Sequence, residues 1–133
     1  MSTLELTAKN LDETIKGNEI LVIDFWASWC GPCKMFGPVF EKAAEQHTDI
    51  AFAKCNTEEQ QEVAAAFGIR SIPTLAVFKE QTLIFLQPGA LPGNALEEVV
   101  TKVRDIDMDE VRKEIEAHEK EHGHEHGPDC DHD

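Results

Sequence analysis

Four stretches of the chain are apolar over most of their length, and the segments between them carry apolar residues at helical spacing. Ile20-Leu-Val-Ile-Asp-Phe-Trp-Ala27 is β-branched and aromatic with one carboxylate inside it, as expected of a strand buried on both faces. Ile50–Cys55, Thr74–Phe78 and Thr82–Leu86 read as further strands, and the Lys79–Thr82 gap between the last two suits a hairpin. Helical patterns occupy Asn10–Lys16, Cys33–His47, Glu58–Phe67 and Asn94–Val103. Pro38 lies within the second of these and is expected to kink it, because it lacks an N–H and its ring crowds the preceding turn. Strands alternating with helices, then a hairpin and a closing helix, predict an α/β fold with a mixed central sheet flanked by helices.

Beyond residue 104 the pattern changes. Residues 1–103 carry eight basic and fourteen acidic side chains, whereas residues 104–133 carry four and twelve, so the shorter segment holds the larger share of the net charge. Asp107-Met-Asp-Glu110 has the form of a helix start, with an acidic cap and a carboxylate three residues later. Met108, Val111, Ile115, His118 and His122 then recur at three- and four-residue steps along one face. From Gly123 onward glycine, Pro128 and interspersed charges favour disorder. The expected organisation is a domain over 1–104, an extension helix over 105–122 and a flexible tail over 123–133.

A chain of 133 residues holds one well-buried core, and its 41% hydrophobic content is that of a globular protein. A formal charge of −14 repels both phosphate backbones and anionic head groups, which argues against nucleic-acid and membrane-surface functions. No apolar run approaches the roughly 18 residues of a membrane helix, and the opening residues do not resemble a signal peptide, so the cytosol is the expected location. Of the four cysteines, Cys30 and Cys33 form a close pair, which in a reducing compartment points to redox chemistry or metal binding. Zinc usually takes four ligands, and no second close cysteine pair is present.

The pair lies in Trp29-Cys-Gly-Pro-Cys33, between the buried strand and the next helix. A cysteine at a helix N-terminus faces unpaired backbone N–H groups and the positive end of the macrodipole, both of which favour thiolate. Moving a thiol from about 8.5 to about 7 raises its thiolate fraction at neutral pH from roughly 3% to roughly half, for about 2 kcal/mol. Cys30 is therefore expected to attack, and Cys33, one turn later, to break the mixed disulfide from within; Gly31 and Pro32 let the bridge close with little rearrangement.

Phe25-Trp-Ala-Ser-Trp-Cys-Gly-Pro-Cys-Lys-Met35 and Gly68-Ile-Arg-Ser-Ile-Pro-Thr74 resemble the two signatures of the thioredoxin family, and Pro38 is similar to its helix kink. The resemblance spans about residues 4–103. It implies the thioredoxin fold and reduction of protein disulfides by a monomer that needs no cofactor for exchange and draws electrons from a thioredoxin reductase. It also implies roles. Asp24 matches a buried aspartate that takes the proton of Cys33 and returns it, and Lys54 the lysine paired with that aspartate. Pro73 matches a cis-proline beside the cysteines, and Ile72 offers its backbone to an extended substrate segment. Trp29, Gly31, Pro32, Gly89 and Ala90 match the substrate-facing surface. Trp26 reads as core, and Asp24 also admits the plainer reading of a satisfied buried carboxylate. Cys55, Thr57 and Pro88 depart from the common pattern; Cys55 reads as a small buried hydrophobe.

His118, His122, His124, His126 and His132 fall within fifteen residues, together with Cys130. His118 and His122 are four apart, so a helix places both imidazoles on one side; with His124, His126 and Cys130 they form a candidate site for Zn²⁺, Ni²⁺ or Cu²⁺. His118-Glu-Lys-Glu-His122 also fits the zinc-protease pattern, but such a site needs a third ligand and a dry cleft, and this stretch runs into a polar tail. Two other readings stand beside metal binding by the tail: a solvated acidic tail, and a metal carrier or sensor that uses the whole domain as a scaffold.

Overall fold

The computed structural model describes the backbone of residues 3–123 and the side chains of residues 3–118. Its elements are β1 (Thr3–Glu5), α1 (Leu11–Gly17), β2 (Ile20–Trp26), α2 (Gly31–Gln46), β3 (Ala51–Asn56), α3 (Gln61–Ala66), β4 (Thr74–Lys79), β5 (Thr82–Pro88), α4 (Gly93–Asp105) and α5 (Met108–Gly123). The strands form one sheet in the order β1-β3-β2-β4-β5, with β1, β3 and β2 parallel and β4 and β5 antiparallel. This is the expected α/β arrangement with a mixed sheet.

β2 runs through the middle of the sheet, and its alternation decides what lies on each side. Leu21, Ile23 and Phe25 join Leu6, Ala53, Cys55, Val63 and Ala76 in one core cluster, with Leu11, Ile15 and Phe67 of the α1 and α3 segments packed against it. The alternate positions, including Val22 and Asp24, face the other side, where Phe40 of α2 meets Phe52 of β3 edge-on at 5.3 Å. Asp24 is thus delivered to the layer beneath α2, the helix that Cys30 caps and that contains Cys33.

Three local results differ from the sequence pattern. β1 has no counterpart in it, because three half-exposed residues are too short to show a period; pairing with β3 in the register Thr3↔Phe52, Leu4↔Ala53, Glu5↔Lys54 defines this strand. α3 begins at Gln61 rather than Glu58, because Asn56 Oδ1 accepts from the Glu58 and Glu59 amides at 2.9 and 3.3 Å and holds those residues in a turn. α2 begins at Gly31, two residues before its apolar periodicity does. The β4–β5 hairpin closes as expected, with Glu80 and Gln81 both left-handed at φ 51° and 68°, the pairing of angles that follows strand twist. Gly68, at φ +67°, ends the α3 segment where a side chain would be strained.

The chain divides into two compact units, Met1–Thr101 and Lys102–Asp133. In the second, Asp107 Oδ1 accepts from the amides of Asp109 and Glu110 at 2.9 and 3.4 Å, the acidic cap expected for α5. No helix among the described residues is long and apolar enough to cross a membrane.

Candidate active site

α2 opens with Cys30 as its N-cap residue, Gly31 at the first helical position and Pro32 in the first turn, where a missing N–H costs nothing. The Cys33 amide donates to Cys30 Sγ at 3.1 Å. Cys30 and Cys33 are joined as a disulfide with their Cα atoms 5.3 Å apart, so this is the oxidised state of the pair. Both are buried, at 3% and 4% exposure, so hydrogen bonding rather than exposure distinguishes the two sulfurs. Among the described residues, the helix-end N–H contact is made to Cys30 Sγ.

Around the pair, Ala27, Trp26 and Ile72 pack into one apolar cluster with the two cysteines. Trp26, expected as core, therefore also walls the site. The Ile72–Pro73 peptide is cis, and the Ile72 carbonyl oxygen lies 3.7 Å from Cys30 Sγ. The Gly89 amide donates to the Pro73 carbonyl at 2.8 Å, which ties the end of β5 to this loop; Gly89 itself is left-handed at φ +108°. Trp29 is 66% exposed, a large apolar surface beside the disulfide, and its indole Nε1 donates to the Glu58 carboxylate. Gly31, Pro32 and Ala90 are exposed.

Asp24 is completely buried, and among the described residues neither carboxylate oxygen has a hydrogen-bond partner. Burial pushes its carboxyl up to about 7 from the ordinary 3.8, against the opposing pull of the Lys54 charge and with a smaller push from Glu41. Lys54 is the register partner of Asp24 on β3, but its ammonium pairs at 3.7 Å with Glu41 of α2 and lies 5.1 Å from the Trp26 ring centroid. Among the described residues the Lys54 ammonium forms its ion pair with Glu41, a half-exposed carboxylate of α2, while its charge acts on the Asp24 carboxyl without a hydrogen bond to it. Glu41, Glu58 and Asn56 carried no sequence signal; each matters through a partner distant in the chain.

Cys55 is fully buried, and desolvation raises its thiol to about 11, which suits the reading of a small core residue. No group of three or more metal-ligating side chains occurs among the described residues. His118 is exposed on α5; the side chain of His122, and His124, His126, Cys130 and His132, lie outside the described residues.

The thioredoxin family profile matches residues 2–102. The chain is 56% identical over 122 residues to a putative thioredoxin 2 of Streptomyces coelicolor, covering 92% of this chain and 91% of that one. The chain belongs to the thioredoxin family. A thioredoxin of Alicyclobacillus acidocaldarius is 43% identical over 97 residues, 72% of this chain and 92% of its own. Among solved structures, oxidised mitochondrial thioredoxin 3 of Saccharomyces cerevisiae superposes with a TM-score of 0.70 at 36% identity, covering 76% of this chain and 95% of that one. The Streptomyces match runs past the residues that the family profile covers, so the extension is partly shared with that relative. Membership makes this thioredoxin a thiol-disulfide oxidoreductase, a protein-disulfide reductase that uses no cofactor for exchange. The family acts on protein disulfides and is itself reduced by thioredoxin reductase.

Proposed function

We propose that Cys30 is the attacking thiolate, Cys33 the resolving thiol and Asp24 the acceptor of its proton. The observation that carries this assignment is the Cys33 amide donating to Cys30 Sγ at the start of α2. A donor aimed at one sulfur favours its negative charge, and the helix end adds to it. In the reduced protein Cys30 Sγ attacks one sulfur of a substrate disulfide, joining it and releasing the other substrate sulfur as a thiolate that takes up a proton. Asp24 then takes the proton of Cys33, whose thiolate attacks Cys30 Sγ and expels the second substrate sulfur, which is also protonated. Two electrons have moved to the substrate, and the Cys30–Cys33 disulfide remains. A thioredoxin reductase supplies two electrons to restore the dithiol, a cycle suited to a monomer in a reducing compartment such as the cytosol. Trp29, Gly31, Pro32, Ile72, Pro73, Gly89 and Ala90 form the face that receives the substrate. The exposed Trp29 indole and the Ile72 carbonyl support this by offering apolar surface and a backbone acceptor.

Iodoacetamide labelling of the reduced native protein, with peptide mapping across pH, tests the assignment. Cys30 is expected to label first, with a midpoint below the ordinary thiol value of about 8.5, then Cys33, while Cys55 stays unlabelled to pH 9. First labelling at Cys33 or Cys55 contradicts it.

We propose further that residues 1–104 carry the exchange unaided, and that the helix over 105–122 and the tail over 123–133 are an accessory. Sequence spacing supports His118, His122, His124, His126 and Cys130 as ligands for Zn²⁺, Ni²⁺ or Cu²⁺. Calorimetric titration with Zn²⁺ of a Cys30→Ser/Cys33→Ser protein should give binding that disappears on removal of residues 118–133; equal affinity without them overturns the assignment. Nothing in the site or the relatives supports the reading of the whole chain as a metal carrier.

A further inference from the structure

Asp24 and Lys54 face each other in register on neighbouring parallel strands, yet the ammonium does not seat on the buried carboxylate. It is held in a cradle on the α2 side. Glu41 Oε2 is 3.7 Å away, the Trp26 ring lies beneath it at 5.1 Å, and a side chain at Gly37 would come within 3.9 Å of it. Glu41 is itself anchored from the far edge of the sheet: Thr3 Oγ1 on β1 lies 3.2 Å from one of its carboxylate oxygens and 3.4 Å from the other.

We propose that Glu41 is a positioning residue for disulfide exchange, holding the Lys54 ammonium off Asp24 so that the buried carboxyl remains free to take and return the proton of Cys33. The proposal rests on the reading of Asp24 as proton acceptor. The groups that face this region are few. Lys54 comes from β3 and Glu41 from α2, and β4 places the uncharged Leu75 beside Asp24. Glu5, the register partner of Lys54 on β1, and Glu59 line with Lys54 the groove of about 370 Å³ that opens beside Trp26. Lys54 is thus the cation of this set, and the carboxylate that holds it governs how strongly Asp24 feels it. A cation brought within 4–6 Å of a carboxylate lowers its titration by about 1–3 pH units, enough to leave Asp24 ionised and a poor carrier of a proton near neutrality.

Carboxyl-carbon NMR of the oxidised full-length chain, in which Cys30 and Cys33 do not titrate, reads Asp24 directly. Glu41→Gln is expected to lower the Asp24 midpoint by about one pH unit or more, and Lys54→Met to raise it. In the Lys54→Met background, Glu41→Gln should retain less than half of its shift, since its effect passes through the ammonium. The pH–rate profile of the resolving step should move with the NMR midpoint in Glu41→Gln. An unchanged Asp24 midpoint in that variant overturns the proposal, as does an equal shift with and without Lys54. If the midpoint falls as expected while the pH–rate profile stays in place, the proposal fails through the role given to Asp24 and not through Glu41.

Discussion

Replacing Cys33 with serine will leave substrate proteins covalently attached to Cys30. The variant keeps the N-cap sulfur and its contact with the residue 33 amide, so attack on a disulfide still occurs and the mixed disulfide still forms. What disappears is the second thiol, whose Cα is held 5.3 Å from that of Cys30. Well-oriented intramolecular reactions reach effective molarities of about 10⁵ M, so millimolar external thiol does not replace the missing group, and turnover should fall by more than about 10³-fold. Non-reducing gels of the Cys33→Ser protein mixed with a disulfide substrate should show a new band, lost on reduction, with the link mapped to Cys30. Adducts confined to Cys55 or Cys130, with Cys30 free, would place the chemistry elsewhere.

Asp24→Asn is expected to stabilise the fold at pH 8 and to slow exchange. The native carboxyl titrates at about 7 against an ordinary 3.8, so the unfolded chain ionises from about pH 4 upward while the folded one keeps its proton. Between those values the native state binds more protons than the unfolded state, and stability falls as pH rises, levelling off above about pH 7. Three pH units at 1.36 kcal/mol each give about 4 kcal/mol, an upper bound for what the neutral side chain recovers, since the buried amide also lacks partners. Urea denaturation should therefore find the variant more stable at pH 8, with the difference shrinking to little at pH 4. The same variant removes the proton acceptor of Cys33, and loss of a positioned acid–base group typically costs about 10²-fold or more in the step it serves. A variant less stable than the parent at pH 8 would mean that burial does not penalise the ionised Asp24 carboxylate.

How much of this was readable in advance depends on whether a residue acts through its neighbours in sequence or through distant ones. β2 was legible because seven consecutive residues must satisfy a buried environment, and the carboxylate within them announced Asp24. Cys30 was legible because a strand end followed by a helical pattern places it at a helix N-terminus. β1 was not, since three residues carry no period and the strand is defined by its pairing with β3. The start of α3 was misplaced because Asn56 captures amides that the periodicity assigned to the helix. The resemblance pointed to Lys54, whose charge acts on Asp24, but its ion pair with Glu41, itself anchored by Thr3 across 38 residues of sequence, had no local signal.

The central claim is that exchange passes through the dithiol of Cys30 and Cys33, with Cys30 attacking. Reduction of insulin disulfides by dithiothreitol, followed as the rate of B-chain precipitation with catalytic amounts of the protein, tests it most directly. The account expects the parent chain to accelerate the reaction, Cys55→Ser and removal of residues 118–133 to leave the rate within about twofold, and Cys30→Ser to reduce it to the uncatalysed level. Retention of catalysis by a folded Cys30→Ser protein would contradict it.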